Sequence, residues 1–385
     1  MRITFVQPRL DLTGGARVVA LYSQALTRMG HRVRVVAGRA APIPFRRRVR
    51  AWLRGERSAR QPRSGPHHVG IGVDVHVLDR CRPATDDDIP DGDVVIATWW
   101  ETAEWVQRLD AGKGAKVYFI QAHEIFEYLP IDRSRATYRL PFHKIVIADW
   151  LRKVMSAEYG DDTVDLVPNS VDRGQFFAPA RDKQPRPTVG FIYSTASVKG
   201  VDTAIRAIEV LKRRMPQLRV ISFGVRAPSR QLPLPDEVEF HLSPAQDQLR
   251  SLYSQCDAWI STSRTEGFNL PALEAMACRT PVVATRTGWP AEAVKTGSNG
   301  VLVDVDDVGG IASGAEWVLS RQPEEWRALS DGAYATSQVG SWEESAIAFE
   351  AALKHACRRA ARGEIAGRCP ACDEPALGPT GAALG

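Results

Sequence analysis

Short apolar runs alternate with stretches of helical periodicity along most of this chain. Before residue 168, seven runs rich in valine and isoleucine are strand-like, at residues 3–6, 33–37, 73–78, 94–98, 117–121, 145–148 and 164–167. Six more follow, at residues 189–193, 218–223, 237–240, 258–261, 282–285 and 301–303. The runs are continuous rather than alternating, which is typical of parallel sheets buried on both faces.

Helical patterns lie between most of these runs. Apolar residues recur at helical spacing from Val18 to Met29, and again over residues 201–215, 247–254 and 271–277, while further helices are expected from Val308 and from Trp342. The alternation predicts an α/β fold with two Rossmann-like, doubly wound parallel-sheet domains. We place the first domain at residues 1–178 and the second at 179–340, with a last helix at 341–363 and a flexible tail at 364–385.

Composition indicates a globular chain of the cytoplasm. The 385 residues are 44% hydrophobic, which is enough for two cores. No run approaches the roughly 18 apolar residues of a membrane span, and the N-terminus is predicted to be a strand rather than a signal peptide. Six scattered cysteines do not form a disulfide framework in a chain of this length. Cys369 and Cys372 resemble half a zinc knuckle, but without a second pair we expect two thiols of the tail and no metal.

The net charge of +5 is concentrated in one segment. Residues 46–63 hold eight arginines against the single acid Glu56, so the rest of the chain is slightly acidic and no nucleic-acid partner is expected. The segment has three interpretations: peripheral contact with an anionic membrane at the inner face of the cell membrane, binding of a pyrophosphate-linked acceptor, or a solvated loop. The residues expected at such a membrane are Arg46, Arg47, Arg48, Arg50, Trp52 and Arg54.

The segment from Ser263 to Val283 carries the most informative chemistry. Glu266 follows a strand, and Glu274 lies one turn into a helix that begins near Pro271. Carboxylates accept hydrogen bonds from hydroxyls, and the N–H groups of a helix start bind phosphates. A ligand that carries both groups, such as a nucleotide sugar, fits this combination.

The residue order Thr-Glu-Gly-Phe-Asn-Leu-Pro-Ala-Leu-Glu-Ala-Met-Ala-Cys-Arg-Thr-Pro-Val-Val resembles the signature of the retaining glycosyltransferases of family 4 (glycosyl transferases group 1), which have the GT-B fold. Asn269 and Arg279 stand where the family usually has glycine. Val167-Pro-Asn-Ser-Val-Asp172, Phe176 and the helix from Trp342 also resemble the family. The resemblance implies two Rossmann-like domains that face a cleft, with the last helix crossing back to the first domain.

The resemblance implies a donor site in the second domain. Glu274 would hold the ribose hydroxyls, Glu266 the donor-sugar hydroxyls, and Lys199 the leaving diphosphate. Ser194 replaces a family arginine, so either Arg264 or another basic group compensates, or the donor binds more weakly. The other expected donor contacts are Gly267, Phe268, Asn269 and Leu270.

Two places in the first domain are candidates for the acceptor or for a phosphate. Gly14 and Gly15 open the first helix, where backbone N–H groups can meet an anion or simply form a tight turn. Trp100 and Glu101 follow a strand end, where they would stack on a sugar and accept from its hydroxyls. Core packing explains these two residues equally well.

His123 also follows a strand end and stands where many family members have a histidine near the donor sugar. We group it with Glu266 and Lys199 as the catalytic candidates. An imidazole at this place can orient a sugar hydroxyl or the phosphate at neutral pH.

These features predict a hexosyl- or glycosyltransferase of the EC 2.4 class, in a setting such as bacterial polysaccharide biosynthesis. It would use a UDP or GDP sugar and a glycan, glycolipid or natural-product acceptor, with no cofactor and no metal. The resemblance implies retention of anomeric configuration through front-face transfer. The alternatives are a GT-B sugar-nucleotide epimerase and a non-catalytic nucleotide-sugar-binding partner protein, the latter favoured by Ser194.

Overall fold

The structure is a computed structural model that describes residues 1–11, 13–39 and 72–370. Its described residues divide into two units with separate sheets. The first unit contains residues 1–39, 72–167 and 343–370, and the second contains residues 168–342. Among the residues that the structure describes, the first unit is therefore assembled from separate parts of the chain, whereas the second is one continuous stretch.

The first unit contains a seven-stranded sheet in the order β3-β2-β1-β4-β5-β6-β7, with every pairing parallel. Each of the seven apolar runs predicted before residue 168 overlaps one of these strands. The strands are β1 (Arg2–Gln7), β2 (Arg32–Ala37), β3 (Asp74–Val77), β4 (Val94–Ala97), β5 (Ala115–Ile120), β6 (His143–Val146) and β7 (Asp165–Leu166). The helices are α1 (Gly14–Arg28), α2 (Trp100–Arg108), α3 (Ile131–Thr137) and α4 (Asp149–Tyr159).

The second unit contains a six-stranded parallel sheet in the order β10-β9-β8-β11-β12-β13. Again each predicted run overlaps a strand. The strands are β8 (Thr188–Ile192), β9 (Arg219–Gly224), β10 (Val238–Leu242), β11 (Ala258–Ser261), β12 (Val282–Thr285) and β13 (Gly300–Val303). The helices are α5 (Val201–Arg214), α6 (Gln246–Ser254), α7 (Leu270–Ala277), α8 (Pro290–Ala293), α9 (Val308–Leu319) and α10 (Pro323–Ser337).

The last helix, α11 (Trp342–Ala361), packs into the core of the first unit. The fully buried Phe349 ring stacks on Tyr22 with centroids 4.4 Å apart and meets the edge of Phe119 at 5.0 Å. Aromatic pairs of this kind stabilise a core beyond the area they bury. The helix is therefore an integral part of the first sheet's hydrophobic layer.

A partly buried polar network also joins α11 to the edge of this sheet. Asp165 accepts from His143 Nε2 and from His355 Nδ1, each at 3.0 Å, while Arg359 Nη1 lies 3.2 Å from His143 Nδ1. A guanidinium can only donate, so His143 Nδ1 accepts and Nε2 carries the proton that goes to Asp165. The three ligand-type residues lie within metal-binding distance of one another, but these hydrogen bonds satisfy them without an ion.

Several helices of the structure were not predicted, and α2 shows why. Its first turn is held partly by its own Thr102, whose hydroxyl accepts from the backbone of Thr98 and Trp99 at 2.9 and 3.0 Å, and partly by Glu124 of a later loop, whose Oε2 accepts from Trp100 N at 2.7 Å. The contact from Glu124 is tertiary and leaves no local signal. Among the described residues, no helix combines the length and apolar character needed to cross a membrane.

Candidate functional site

The central strands of the second sheet place two loops side by side at one edge. β8 and β11 are neighbours, and the chain leaves them in opposite directions, toward β9 and toward β12. This is a topological switch point, where open α/β sheets bind ligands beyond the carboxyl ends of their strands. The loop after β8 carries Ser194 and Lys199, and the loop after β11 carries Glu266.

Glu266 and Lys199 contact each other across this switch point. Lys199 Nζ donates to Glu266 Oε1 at 2.5 Å, and Ser263 Oγ donates to the same oxygen at 2.7 Å. The Glu266 side chain is 9% exposed, whereas that of Lys199 is 34% exposed. A mostly covered carboxylate is thus held in one orientation beside a more accessible ammonium group.

Gly200 allows the two loops to approach each other. It adopts a left-handed backbone with φ +58° at the start of α5, and a Cβ there would lie 2.0 Å from the carbonyl oxygen of Thr262. The side chain of Thr262 returns a hydrogen bond to the Lys199 carbonyl at 3.3 Å. Because only glycine fits this contact, the position of Lys199 depends on it.

Gly200→Ala should lower the free energy of unfolding by about 3 kcal/mol or more, because a left-handed alanine costs about 1–2 kcal/mol and the collision adds a similar amount. The matched control is Gly297→Ala, which has φ +87° but no atom within 4 Å of the added Cβ. Urea unfolding measures both variants. Equal losses would show that the approach to Thr262 imposes no constraint.

Both residues that replace a family glycine have left-handed backbones. Asn269 has φ +80° and caps α7, with its Oδ1 accepting from Ala272 N at 3.3 Å and its Nδ2 donating to Ser261 Oγ at 2.7 Å. Asparagine is the residue after glycine that best tolerates this conformation. Pro271 follows in the first turn, as expected, so the loop reaches α7 in a fixed direction.

Arg279 has φ +61° just beyond the end of α7. Thr280 N donates to Ala275 O at 3.0 Å and Arg279 N donates to Met276 O at 2.9 Å, which is the usual closure of a helix by a left-handed residue. The Arg279 guanidinium lies 4.2 Å from the Tyr334 ring centroid. The helix end therefore keeps its geometry despite the arginine.

Glu274 lies within α7 and is buried, with 5% of its surface exposed. Its Oε2 accepts a hydrogen bond of 2.8 Å from the Tyr253 hydroxyl of α6. Tyr253 is itself fully buried against Trp259, Phe223 and Phe176. A rigid aromatic cluster thus orients the carboxylate.

The loop that precedes α7 packs on the loop after β12. Phe268 is buried and stacks on Trp289, with ring centroids 5.1 Å apart. Gly288, with φ +57°, lies so close that a Cβ would be 2.7 Å from Glu266 Cβ. Gly267 is buried and Leu270 half-buried on the same loop, so this part of the predicted donor site is brought together around Glu266.

Arg264 fixes the loop after β8. Its Nη2 donates to Asp202 at 2.6 Å, its Nε to Asp306 at 2.8 Å, and its Nη1 to the Ser197 carbonyl at 2.8 Å. The hydrogen bond to Asp202, followed by that to Asp306, raises the pKa of Arg264 above its usual value. With its donors engaged in this way, the guanidinium positions the turn that carries Lys199.

Ser194 forms a local turn in which its hydroxyl accepts from Ala196 N at 3.2 Å. The serine side chain carries no positive charge that could pair with a phosphate. Lys199 is therefore the accessible cation that the described loops bring beside Glu266.

In the first unit, Gly14 and Gly15 begin α1 at the carboxyl end of β1. The Thr13 side chain caps the helix, and a Cβ on Gly15 would lie 3.5 Å from the side-chain amide of Gln121, which follows β5. The loop after β1 thus lies against the loop after β5, near the start of the segment that holds His123.

His123 is 6% exposed, and its Nε2 lies 2.7 Å from the Tyr159 hydroxyl. Burial lowers the pKa of His123, while the carboxylate of Glu158 acts in the opposite direction more weakly. The imidazole is therefore neutral at pH 7 and keeps its capacity to accept one hydrogen bond and donate another.

Trp100 and Glu101 differ in their placement. Trp100 is 4% exposed, with the Arg133 guanidinium 5.1 Å from its ring centroid, so the indole packs inside. Glu101 is half-buried beside an open cavity, and burial raises the pKa of its carboxyl group. Neighbouring Glu124 is fully buried, which raises its pKa well above the ordinary value, and it anchors Trp100 N.

Three functional contacts were not predicted from the sequence. Ser263 and Tyr253 hold the two glutamates, and Trp289 stacks on the Phe268 ring. Ser263 had a local signal, because it precedes Glu266 by three residues in a loop that follows a strand. Tyr253 and Trp289 had none, since Tyr253 comes from α6 and Trp289 from the loop after β12.

The basic segment from Arg46 to Arg63 lies outside the described residues, and so does Cys372. Cys369 is described and is buried.

Comparison with known proteins gives one family match: residues 172–336 match the family described as "Glycosyl transferases group 1". The D-inositol 3-phosphate glycosyltransferase of Segniliparus rotundus is 30% identical over 224 residues, which is 51% of this chain and 47% of that protein. The enzyme of the same name from Mycolicibacterium smegmatis is 31% identical over 213 residues, or 50% and 48%. The chain thus spans about half the length of these curated relatives.

Solved structures resemble nearly the whole chain. The sucrose-phosphate synthase of Thermosynechococcus elongatus has a TM-score of 0.68 at 16% identity, covering 92% of this chain and 99% of that one. Anabaena Alr3699/HepE in complex with UDP and glucose has a TM-score of 0.67 at 17% identity, covering 92% and 100%. With the two parallel sheets described above, these similarities confirm the predicted GT-B fold of Rossmann-like domains.

Proposed function

We propose that this protein is a glycosyltransferase that moves a sugar from a nucleotide diphosphate sugar to a polar acceptor. The observation that carries the proposal is the contact between Lys199 and Glu266 at the switch point of the second sheet. In a nucleotide sugar, a diphosphate is directly bonded to a hydroxylated ring. A cation beside a carboxylate matches that arrangement, because the ammonium group suits the phosphates and the carboxylate suits the hydroxyls.

The described contacts support a division of roles among the donor-site residues. Glu266, held on one oxygen by Lys199 and Ser263, would accept from the donor-sugar hydroxyls. Glu274, oriented by Tyr253, would hold the ribose hydroxyls. Lys199 would stabilise the diphosphate as it leaves.

Backbone groups would complete the donor site. The left-handed Asn269 turns the chain into α7, so that the N–H groups of Phe268, Asn269 and Leu270 are available beside Glu266. Backbone donors are suited to phosphate and sugar oxygens because they are fixed before the ligand arrives.

We propose further that transfer proceeds with retention, as the resemblance to family 4 implies, and without a metal ion. In that scheme the leaving phosphate takes the acceptor proton, the acceptor oxygen bonds to the anomeric carbon, and the bond from that carbon to the phosphate oxygen breaks. Positive charge on the leaving group would come from Lys199. His123, neutral and buried, would orient a hydroxyl or phosphate rather than supply charge.

The names of the curated relatives support the class of reaction. They are called D-inositol 3-phosphate glycosyltransferases, and the Anabaena neighbour binds UDP and glucose. A UDP sugar is accordingly the first donor to test, followed by a GDP sugar. A glycan, a glycolipid and a phosphorylated polyol are the acceptor classes to compare.

One observation favours a second candidate function, a non-catalytic nucleotide-sugar-binding protein. Ser194 brings no charge to the loop after β8, and the donors of Arg264 are engaged by Asp202, Asp306 and the Ser197 carbonyl. A protein with only Lys199 for the diphosphate would bind a donor but stabilise the leaving group too weakly to transfer the sugar.

Calorimetric titration with UDP, GDP, ADP and dTDP, with and without Mg²⁺, tests the donor site. We expect one nucleotide to bind with a dissociation constant of roughly 1 μM to 1 mM, the range of typical substrate affinities, and to bind equally well without the metal. Lys199→Gln should weaken that binding by about tenfold, whereas Lys295→Gln, at an exposed lysine of the same unit, should not change it.

Binding of none of the four nucleotides would contradict the proposed function. Binding without transfer from the matching nucleotide sugar to any acceptor class would favour the non-catalytic protein. Conversion of the donor sugar without an acceptor would instead indicate an epimerase.

A further inference from the structure

The first unit contains an open cavity of about 440 Å³ at the carboxyl ends of β1, β2 and β3. Residues directly after these three strands line one side of it, and α2 lines the other. Arginines come from each of these parts and from α3. They are Arg9, Arg39, Arg82, Arg108 and Arg133.

The charge of the cavity lining is predominantly positive. Five arginines and two glutamates line it, and carboxylates pair with three of the arginines, which leaves two arginines without an acidic partner among the described residues. Within residues 1–11, 13–39 and 72–370, Arg39 and Arg108 form no ion pair. Arg39 Nη1 donates only to the Asp79 carbonyl, at 2.7 Å, which leaves most of its N–H groups for an anion.

The other three arginines are held in place by carboxylates, and for Arg9 this is Asp11, which accepts from its Nε at 3.1 Å. Arg133 donates to Glu104 from Nε and Nη2 at 3.1 and 2.6 Å, and Arg82 donates to Asp88 from both terminal nitrogens at 2.5 and 2.8 Å. Each pair engages part of a guanidinium that has five N–H groups. The remaining donors are consequently oriented in advance.

The wall of the cavity requires a glycine. A Cβ on Gly38 would lie 2.5 Å from the Pro8 carbonyl oxygen and 3.1 Å from Trp105 Cη2. Without that Cβ, the backbone at Gly38 lies close to Pro8 and to the indole of Trp105, which also lines the cavity. An indole face is suited to the C–H groups of a sugar or polyol.

Glu101 supplies the complementary group for such a ligand. It lines the same cavity, half-buried, and no side chain among the described residues forms an ion pair with it. A carboxylate at the side of an arginine cluster accepts from hydroxyls while the arginines bind an anion.

We propose that this cavity binds a phosphate monoester of a polyol, with the arginines on the phosphate and Glu101 on a hydroxyl. The assignment of that ester as the acceptor rests on the proposed function, because an acceptor must present a hydroxyl beside its anchoring group. Binding itself does not depend on the donor site, since every lining residue belongs to the first unit.

Cys81 provides a direct reporter for this cavity. It is exposed and lines the cavity, whereas Cys256, Cys278, Cys357 and Cys369 are buried. In a Cys372→Ser background, the full chain is alkylated with iodoacetamide in the presence of sn-glycerol 3-phosphate or glycerol at constant ionic strength. We expect saturable protection of Cys81 by the ester and none by glycerol.

Arginine variants distinguish a specific phosphate site from non-specific electrostatic attraction. Arg39→Gln and Arg108→Gln should each raise the concentration of ester for half-protection by about tenfold. Arg28→Gln, at an exposed arginine of the same unit, should leave it unchanged. Absence of saturable protection, or equal protection in the Arg39→Gln/Arg108→Gln double variant, would overturn the proposal.

Two sources of the same ester are compared in parallel. One is soluble sn-glycerol 3-phosphate, and the other is phosphatidic acid in phosphatidylcholine vesicles. Protection by the soluble ester assigns the cavity to a free polyol phosphate, and protection by vesicles alone assigns it to a lipid headgroup. Protection by neither rejects the site.

Nucleotide titration of the same preparations keeps the two proposals distinct. Normal nucleotide binding with no protection of Cys81 would refute only the phosphate cavity. Protection of Cys81 with no nucleotide binding would refute only the proposed donor site.

Discussion

Glu266→Gln should lower kcat/KM for sugar transfer by about tenfold to a hundredfold, the effect of losing one hydrogen bond to a charged group. The substitution keeps the size of the side chain and one oxygen for Lys199 and Ser263. It removes the negative charge that would hold the donor-sugar hydroxyls. The loss should therefore appear in catalysis rather than in folding.

Initial rates with the nucleotide sugar identified by titration measure this effect, and urea unfolding of the same variant tests its stability. Glu209→Gln, at an exposed glutamate of α5, is the matched control and should retain full activity. A Glu266→Gln enzyme with unchanged kcat/KM would show that Glu266 is not one of the catalytic residues. Loss of activity with a large loss of stability would assign Glu266 to the packing of its loop.

Glu274→Ala should weaken nucleotide binding by about 2 kcal/mol, or roughly thirtyfold in the dissociation constant. The Glu274 carboxylate is buried and held by the Tyr253 hydroxyl at 2.8 Å, so its orientation is set before a ribose arrives. Tyr253→Phe removes that hydroxyl but leaves the carboxylate. It should weaken nucleotide binding by about 1 kcal/mol, because the carboxylate remains and loses only the group that orients it.

Calorimetry with the bound nucleotide measures both variants, and the corresponding free base serves as a control because it has no ribose. Affinity for the base alone should be equally poor in wild type and Glu274→Ala. Unchanged nucleotide affinity in Glu274→Ala would show that the carboxylate serves the core of the second unit and does not contact a ligand.

Much of the fold was predictable because parallel strands are buried on both faces. All thirteen apolar runs correspond to strands, and the strand–helix alternation leads to two doubly wound sheets. The helices α2, α3, α4, α8 and α10 were not predicted. Most of them are short, and the first turn of α2 is held in part by Glu124, which comes from a distant loop.

The chemistry at the switch point was predictable in part. The loop containing Glu266 could be recognised from its residue order, and the same order placed Glu274 in α7. The structure adds what residue order does not encode: Lys199 reaches Glu266, and Arg264 is engaged by acids of two other segments. Partners that meet only through the sheet topology leave no spacing signal along the chain.

The arginine-lined cavity could have been suspected from the sequence. Arg9 and Arg39 each follow a strand by two residues, at the sheet edge where α/β proteins bind ligands. Single arginines after strands are common, however, and only the strand order β3-β2-β1 brings them to one place.

The insertion of the second unit between parts of the first sets the order in which the protein can mature during synthesis. Residues 168–342 form one continuous stretch, so that unit can complete its core as soon as it has emerged from the ribosome. The first unit must wait for α11, because Phe349 packs on both Tyr22 and Phe119 in its core. The half of the molecule that is made first is thus the last to be finished, and an interrupted chain leaves an exposed aromatic surface there.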